Sequence, residues 1–306
     1  MANSISKSQK WPNYGWYMML IIPIVGTFLF NLYPLAGTLT QSFCNANSKF
    51  IGVVNYQILA QDGLFKQSVA NTLFMGVLGV AFNIPISFML ANMLNNIRTG
   101  KNIFKVIYLL PLITSAVSVA MIFKFVFSPD PHSIANFSLS LLGIKPLGWF
   151  NSVATSRQTV VAMALWKGIG YNVIVFFAGL QTVPTELYEA AIIDGANEWQ
   201  KWIHITIPSM RNAFIFVFIT SCITVLKRFA DVYALGTESA NPANSILTIM
   251  LYIYRESFST LFSKNLGLAS AASIVLFLII MLITILNLVI TRDKNKSTSK
   301  QKYIKN

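Results

Sequence analysis

Residues 184–211 read PTELYEAAIIDGANEWQKWIHITIPSMR and carry Glu186, Glu189, Asp194 and Glu198, four of the ten acidic residues in the chain. This charged island lies between two long apolar runs, and the chemistry it offers is recognition rather than bond-making. Glu186 and Glu189 suit the positive end of a helix dipole, and the Thr185 hydroxyl is placed to cap orphan N–H groups there. Leu187, Ala190 and Ala191 fall at i, i+3 and i+4, so they share one small-residue face that permits close backbone approach. Gly195 is placed to stop the helix in a left-handed conformation. Asn197-Glu198-Trp199-Gln200 reads as a second start, an Asn cap with Gln three residues on. Pro208 ends this second helix or bends it into the next apolar run. The pattern predicts helix–turn–helix lying at a membrane face. An ordinary interfacial amphipathic helix is the competing reading, but such helices are usually rich in Lys and Arg, and this one is rich in acids.

Two further clusters place polar groups in or beside apolar spans. Trp166, Lys167, Tyr171 and Asn172 form one; Lys227, Arg228, Asp231 and Tyr233 form the other. They are candidates for lining a solute path. Packing or belt roles for Trp166 and Tyr171, and a structural ion pair between Lys227 and Asp231 at i, i+4, are the alternatives. No catalytic or metal site is expected. The chain has no GxxxxGK[ST] phosphate loop, and two isolated histidines, His132 and His204, do not make a zinc site. Cys44 and Cys222 fall in an outer loop and an apolar span, so a disulfide between them is not expected. No carboxylate lies well inside an apolar span, with Asp231 the nearest, whereas an ion-coupled carrier usually needs one.

Length and composition set the frame for these groups. The chain has 306 residues, 55% of them hydrophobic and 11% charged, against about 25% charged in soluble domains. It is an integral membrane protein. The net charge of +13 would raise nucleic acid as a partner in a soluble protein, but here the basic residues flank apolar spans, and topology accounts for them. The expected fold is all-α with six transmembrane helices, at 15–33, 69–94, 103–127, 159–180, 212–226 and 268–290. The first is read as an uncleaved span rather than a signal peptide. Residues 34–68 and 128–158 read as loops. Residues 245–254 are apolar but shorter than the about 20 residues a crossing needs; they read as re-entrant or interfacial. Residues 1–13 form a polar N-terminal segment, 14–291 the membrane domain, and 292–306 a basic, unstructured tail. With both termini inside, Lys7, Lys10, Arg98, Lys101, Lys105, Lys201, Arg211 and the tail cations fall on the cytoplasmic side. Lys49, Lys66, Lys145, Arg157, Arg255 and Lys264 fall outside, on longer loops. This excess puts the 184–211 loop in the cytoplasm of a bacterial cell, at the inner or plasma membrane.

The string Glu189-Ala190-Ala191, Gly195, and then Ile205-x-Ile207-Pro208 resembles the EAA loop of ABC importer permeases. Ile207 stands where that family has Leu. The fuller ELYEAAIIDGA, with ALWKGIGYNV and FFAGLQTVP upstream and YIYRESF and LGLASAAS downstream, resembles the carbohydrate (MalF/UgpA-like) branch, over most of residues 70–290. The resemblance implies the type I importer fold. It also implies a coupling helix around Glu189, Ala190, Ala191, Asp194, Gly195 and Pro208 that docks in a cleft of a nucleotide-binding subunit. The implied partners are a second permease, an ATPase dimer that holds ATP and Mg, an extracellular solute-binding protein, a sugar and the lipid bilayer. No cofactor is expected in this chain, and it is not expected to be an enzyme itself. The family's Gly-Gly-Pro stretch is replaced here by Thr237-Glu238-Ser239-Ala240-Asn241-Pro242. Lys227 and Arg228 are more basic than a neutral sugar requires and suit an acidic or sialylated saccharide. A self-sufficient secondary transporter and a membrane scaffold that recruits a soluble partner are the rival functions.

Overall fold

The computed structural model describes residues 14–97 and 99–303, with side chains from 18 to 289. The 1–13 segment, Arg98, the rings of Trp16 and Tyr17 and the side chains of the basic tail lie outside what is described. The first crossing is α1 (Tyr14–Thr27), a π turn (Phe28–Leu32) and α2 (Tyr33–Gln41) in one run. Pro34 does not end it, because it occupies the first turn of α2, where a missing N–H is tolerated. The expected 34–68 loop is therefore mostly helical: α2 continues to Gln41, and α3 (Val54–Gln61) follows. Asp62 then accepts from the Leu64 N–H at 2.8 Å and starts α4 (Gly63–Asn96), six residues before the expected start. Pro85 lies inside α4 without breaking it.

The third expected span is two helices, α5 (Lys101–Ile113) and α6 (Ala116–Val126), bent by 95°. Thr114 is extended, and Ser115 caps α6 through the Ser118 N–H at 3.4 Å, so the chain restarts a helix in a new direction. The 128–158 loop contains α7 (Ile134–Ser140), whose Asn136 is buried and bonds the backbone around it. Then come α8 (Ser156–Leu180), α9 (Thr185–Ile193), α10 (Glu198–Lys201), a π turn (Trp202–Thr206), α11 (Ile207–Ser209) and α12 (Arg211–Leu226). The chain closes with α13 (Ala230–Gly236), α14 (Ile249–Phe258) and α15 (Leu266–Tyr303). The last helix carries on through the segment expected to be unstructured. Among the described residues five helices are long and apolar enough to cross a membrane, or six if the bent α5–α6 pair is one span.

Two buried clusters hold the bundle, one toward each end. Phe88, Leu94, Phe176, Leu180 and Met210 pack near the 184–211 loop, and Met75, Val160, Leu247, Tyr252 and Leu276 pack around α14. Lipid tails are as apolar as Leu, so helix pairs in a membrane are held by close packing rather than by the hydrophobic effect. Gly170 shows this at the α5–α8 crossing: a Cβ there would lie 1.7 Å from the Tyr108 carbonyl oxygen. The short α14 sits inside the bundle, with Ile249, Leu251, Tyr252 and Arg255 buried.

Candidate functional site

The 184–211 loop is built from local signals. Pro184 precedes α9, and no side chain caps it; Thr185 occupies the first helical position, so its expected capping role is not seen. Gly195 has φ +74°, the left-handed stop. Asn197 and Gln200 form a reciprocal capping box, at 2.8 and 2.9 Å, that restarts the chain as α10. No residue of α9 is buried, and Glu189, Ala190 and Asp194 are exposed. Asp194, Gly195 and Ala191 share a hollow of about 330 Å³ with Gln200, Lys201 and His204. Glu189, Ala190 and Pro208 lie outside that hollow.

The loop grips the spans from its second half. Trp202 packs at a tilt against Phe88 with ring centroids 5.4 Å apart, and Phe88 in turn meets Phe176 at 5.7 Å and Phe214 at 4.9 Å. Tyr188 and Thr206 bond through their hydroxyls at 2.9 Å, which ties α9 to the π turn. These contacts connect the second half of the loop with α4, α8 and α12.

One helical turn from Phe88 along α4, a knot of polar groups crosses the same three helices. Asn83 Oδ1 accepts from the Ser87 hydroxyl at 3.1 Å and from the Asn172 amide, which also donates to Ser221 Oγ at 3.3 Å. Asn83, Asn172 and Ser221 border a cavity of about 180 Å³ lined by α4, α5, α8, α12 and Arg228. Three residues expected on a solute path, Tyr171, Asn172 and Arg228, line it. The other five, Lys167 among them, do not. Trp166 is 44% exposed and packs on Phe123; Tyr233 stacks among Phe229 and Tyr254; Lys227 is exposed. Asp231 bonds Arg228 at 3.0 Å, not Lys227, because the helix breaks between Leu226 and Ala230 and the i, i+4 spacing does not apply. Gly79, Asn83, Thr220, Ser221 and Thr224 also line the cavity and were not anticipated as a site. Their signal was a small or polar residue recurring within apolar runs.

At the far end, residues 237–247 stand where the expected family pattern has glycines. Thr237, Ala240, Ala243 and Asn244 hold positive φ of 47–56° without being glycine. Each such residue is strained by about 1–2 kcal/mol. Contacts from elsewhere hold them. Arg255 donates to the Glu238 carbonyl and to Asn244 Oδ1, and Asn71 donates to the carbonyls of Asn244 at 2.9 Å and Leu247 at 3.1 Å.

A helical bundle with five or six crossings, a polar cavity among them and an exposed helix–turn–helix at one end defines a polytopic membrane permease. The chain belongs to the binding-protein-dependent transport system inner membrane component family, whose sequence profile matches residues 83–296. It is 34% identical over 271 residues to the arabinooligosaccharides transport system permease protein AraP of Bacillus subtilis, covering 87% of this chain and 85% of that protein. It is 32% identical to the lactose transport system permease protein LacF of Rhizobium radiobacter, covering 92% and 94%. A crystal structure of a bacterial ABC transporter involved in the import of the acidic polysaccharide alginate has the same fold, with a TM-score of 0.78 at 24% identity over 92% of this chain and 96% of that one.

Proposed function

We propose that this chain is one of two permease subunits of an ATP-driven importer of an oligosaccharide or related sugar. Its path is the cavity lined by Tyr171, Asn172 and Arg228. Its socket for a separate ATPase is the loop around Glu189, Ala190, Ala191, Asp194, Gly195 and Pro208. The observation that carries this reading is the loop itself: an exposed acid-bearing helix rigidly anchored through Trp202 to the helices that border the cavity. The sugar names of the curated relatives support the solute class.

ATP and Mg belong to the partner ATPase dimer, and an extracellular binding protein delivers the solute. The loop and both termini face the cytoplasm, in keeping with the excess of Lys and Arg on that side. ATP binding closes the ATPase dimer and draws the loop inward. The anchor at Trp202 turns that displacement into a rearrangement of α4, α8 and α12, so the cavity changes the side it faces. The asparagine knot keeps the three helices in register while offering hydroxyl-rich solutes neutral donors and acceptors.

A tagged chain purified in detergent from native membranes, with and without Glu189→Ala, tests this. The expected result is a second membrane subunit and an ATPase in the wild-type preparation, with the ATPase loosened or lost in the variant. A chain that purifies alone and still moves solute in proteoliposomes would overturn the importer reading in favour of a self-sufficient carrier.

A further inference from the structure

Arg228 is the only charged residue lining the cavity among the described residues. Its side chain is 8% exposed, and its Nη1 meets Asp231 Oδ2 at 3.0 Å. Its Nε is buried with no hydrogen-bond partner. A buried donor left unmade is destabilising, the more so on a charged group. The guanidinium presents five donors in a planar fork, and Asp231 occupies only part of it. Lys227, the next residue, is exposed and takes no part in that pair. The remaining lining offers amides, hydroxyls and apolar surface but no further anion.

We infer that Arg228 makes this cavity a carboxylate subsite, and that the solute passing through it carries an acidic sugar unit such as a uronic or sialic acid. The inference rests on the importer reading above and narrows its solute class. A carboxylate that reaches the Arg228 guanidinium from the cavity makes charge-assisted bonds, which are roughly twice as strong as those a neutral hydroxyl supplies. Asn83, Asn172 and Ser221 then remain for the uncharged hydroxyls of the same sugar.

The probe pair is trigalacturonate and galactotriose, its carboxyl-reduced counterpart, binding at equilibrium to the intact complex purified with its native partners. The wild-type complex is expected to favour the acid by about ten-fold or more. Arg228→Gln should erase that preference by weakening the acid about ten-fold more than it weakens galactotriose. Asp231→Asn frees the whole guanidinium and should raise affinity for the acid, so the inference stays testable if Arg228→Gln assembles poorly. A wild-type complex that fails to favour the acid overturns the subsite, as does Arg228→Gln weakening both sugars equally. Because co-purification of the ATPase is scored on the same preparations, a wild-type complex that holds its ATPase but shows no preference for the acid rejects the subsite alone and leaves the importer reading intact.

Discussion

In the 184–211 loop Ile193 and Trp199 are 86% and 67% exposed, and α9 buries nothing. In the 237–259 segment Glu238, Ser245, Thr248, Arg255 and Ser259 are all buried, and each has a hydrogen-bond partner in its own chain. Both segments join helices at an end of the bundle, and both carry acids. Their difference lies in where their interactions close. The first keeps its apolar and acidic surface open and holds its shape with a glycine stop and a capping box, which need no tertiary contact. The second holds four non-glycine residues in left-handed backbone and needs donors from α4 and α14 to do so. A surface shaped by local signals can be displaced as a unit by a partner. A segment over-determined by its own fold cannot move without opening the fold. Under the proposed coupling role, the first would transmit motion and the second would serve as a fixed wall.

The sharpest way to break this contrast is at Gly195. Its φ of +74° is closed to proline, whose ring fixes φ near about −65°. Gly195→Pro should abolish transport, a loss of about 100-fold or more given the steepness with which misplacement costs activity, while the spans still fold and insert. Uptake measured at equal membrane expression reports the effect. Normal uptake would mean the loop does not transmit force at all.

The next effect falls on the other side of the comparison and on a different quantity. Arg255→Met removes the donor shared by the Glu238 carbonyl and Asn244 Oδ1. Two hydrogen bonds to a charged group are worth about 1.5–3 kcal/mol each, so the variant should lose about 3 kcal/mol or more and melt earlier as the purified complex. The ATPase should still co-purify. A variant that keeps its melting temperature but sheds the ATPase would invert the roles assigned to the two segments.

Sequence made the first region legible and hid the second, for one physical reason. Gly195, Asn197 and Gln200 act within four residues of themselves, so their spacing foretold a left-handed stop and a capping box. The strained residues of 237–247 depend on Asn71 and Arg255; Asn71 lies more than 170 positions away along the chain. No local pattern announces such support. The replacement of the family glycines marked the place without giving its conformation. A different limit applies to the spans. Apolar runs located the crossings, while the 95° turn at Thr114–Ser115 and the passage of α2 through Pro34 rest on a cap and a first-turn proline that hydropathy does not register. At the cavity, Asn172 and Arg228 stood out as polar groups beside apolar runs. Their convergence with Asn83 and Ser221 required the three-helix crossing.

The smallest expected effect sharpens the comparison through pH. Glu256, on α14 and outside the spanning helices, has its carboxyl pushed up from 4.5 to about 7. Burial is the main cause; the nearby Asp62 carboxylate adds to it, and Arg255 partly opposes it. Asp62 is tied down by the Tyr252 hydroxyl, whose own ionisation is suppressed by burial and by that bond. A carboxyl raised in the folded state favours folding while it holds its proton. That contribution is fully present below pH 4.5 and is lost as pH rises through about 7. Amide protection in α14, corrected for intrinsic exchange, should therefore fall modestly between pH 5.5 and about 8, while α9 stays equally unprotected throughout. Glu256→Gln should flatten the α14 profile at its low-pH level. An unchanged slope in that variant would show that Glu256 is not the titrating group. A matching slope in α9 would show that the two ends of the bundle open together, and the division between a movable loop and a fixed wall would fail.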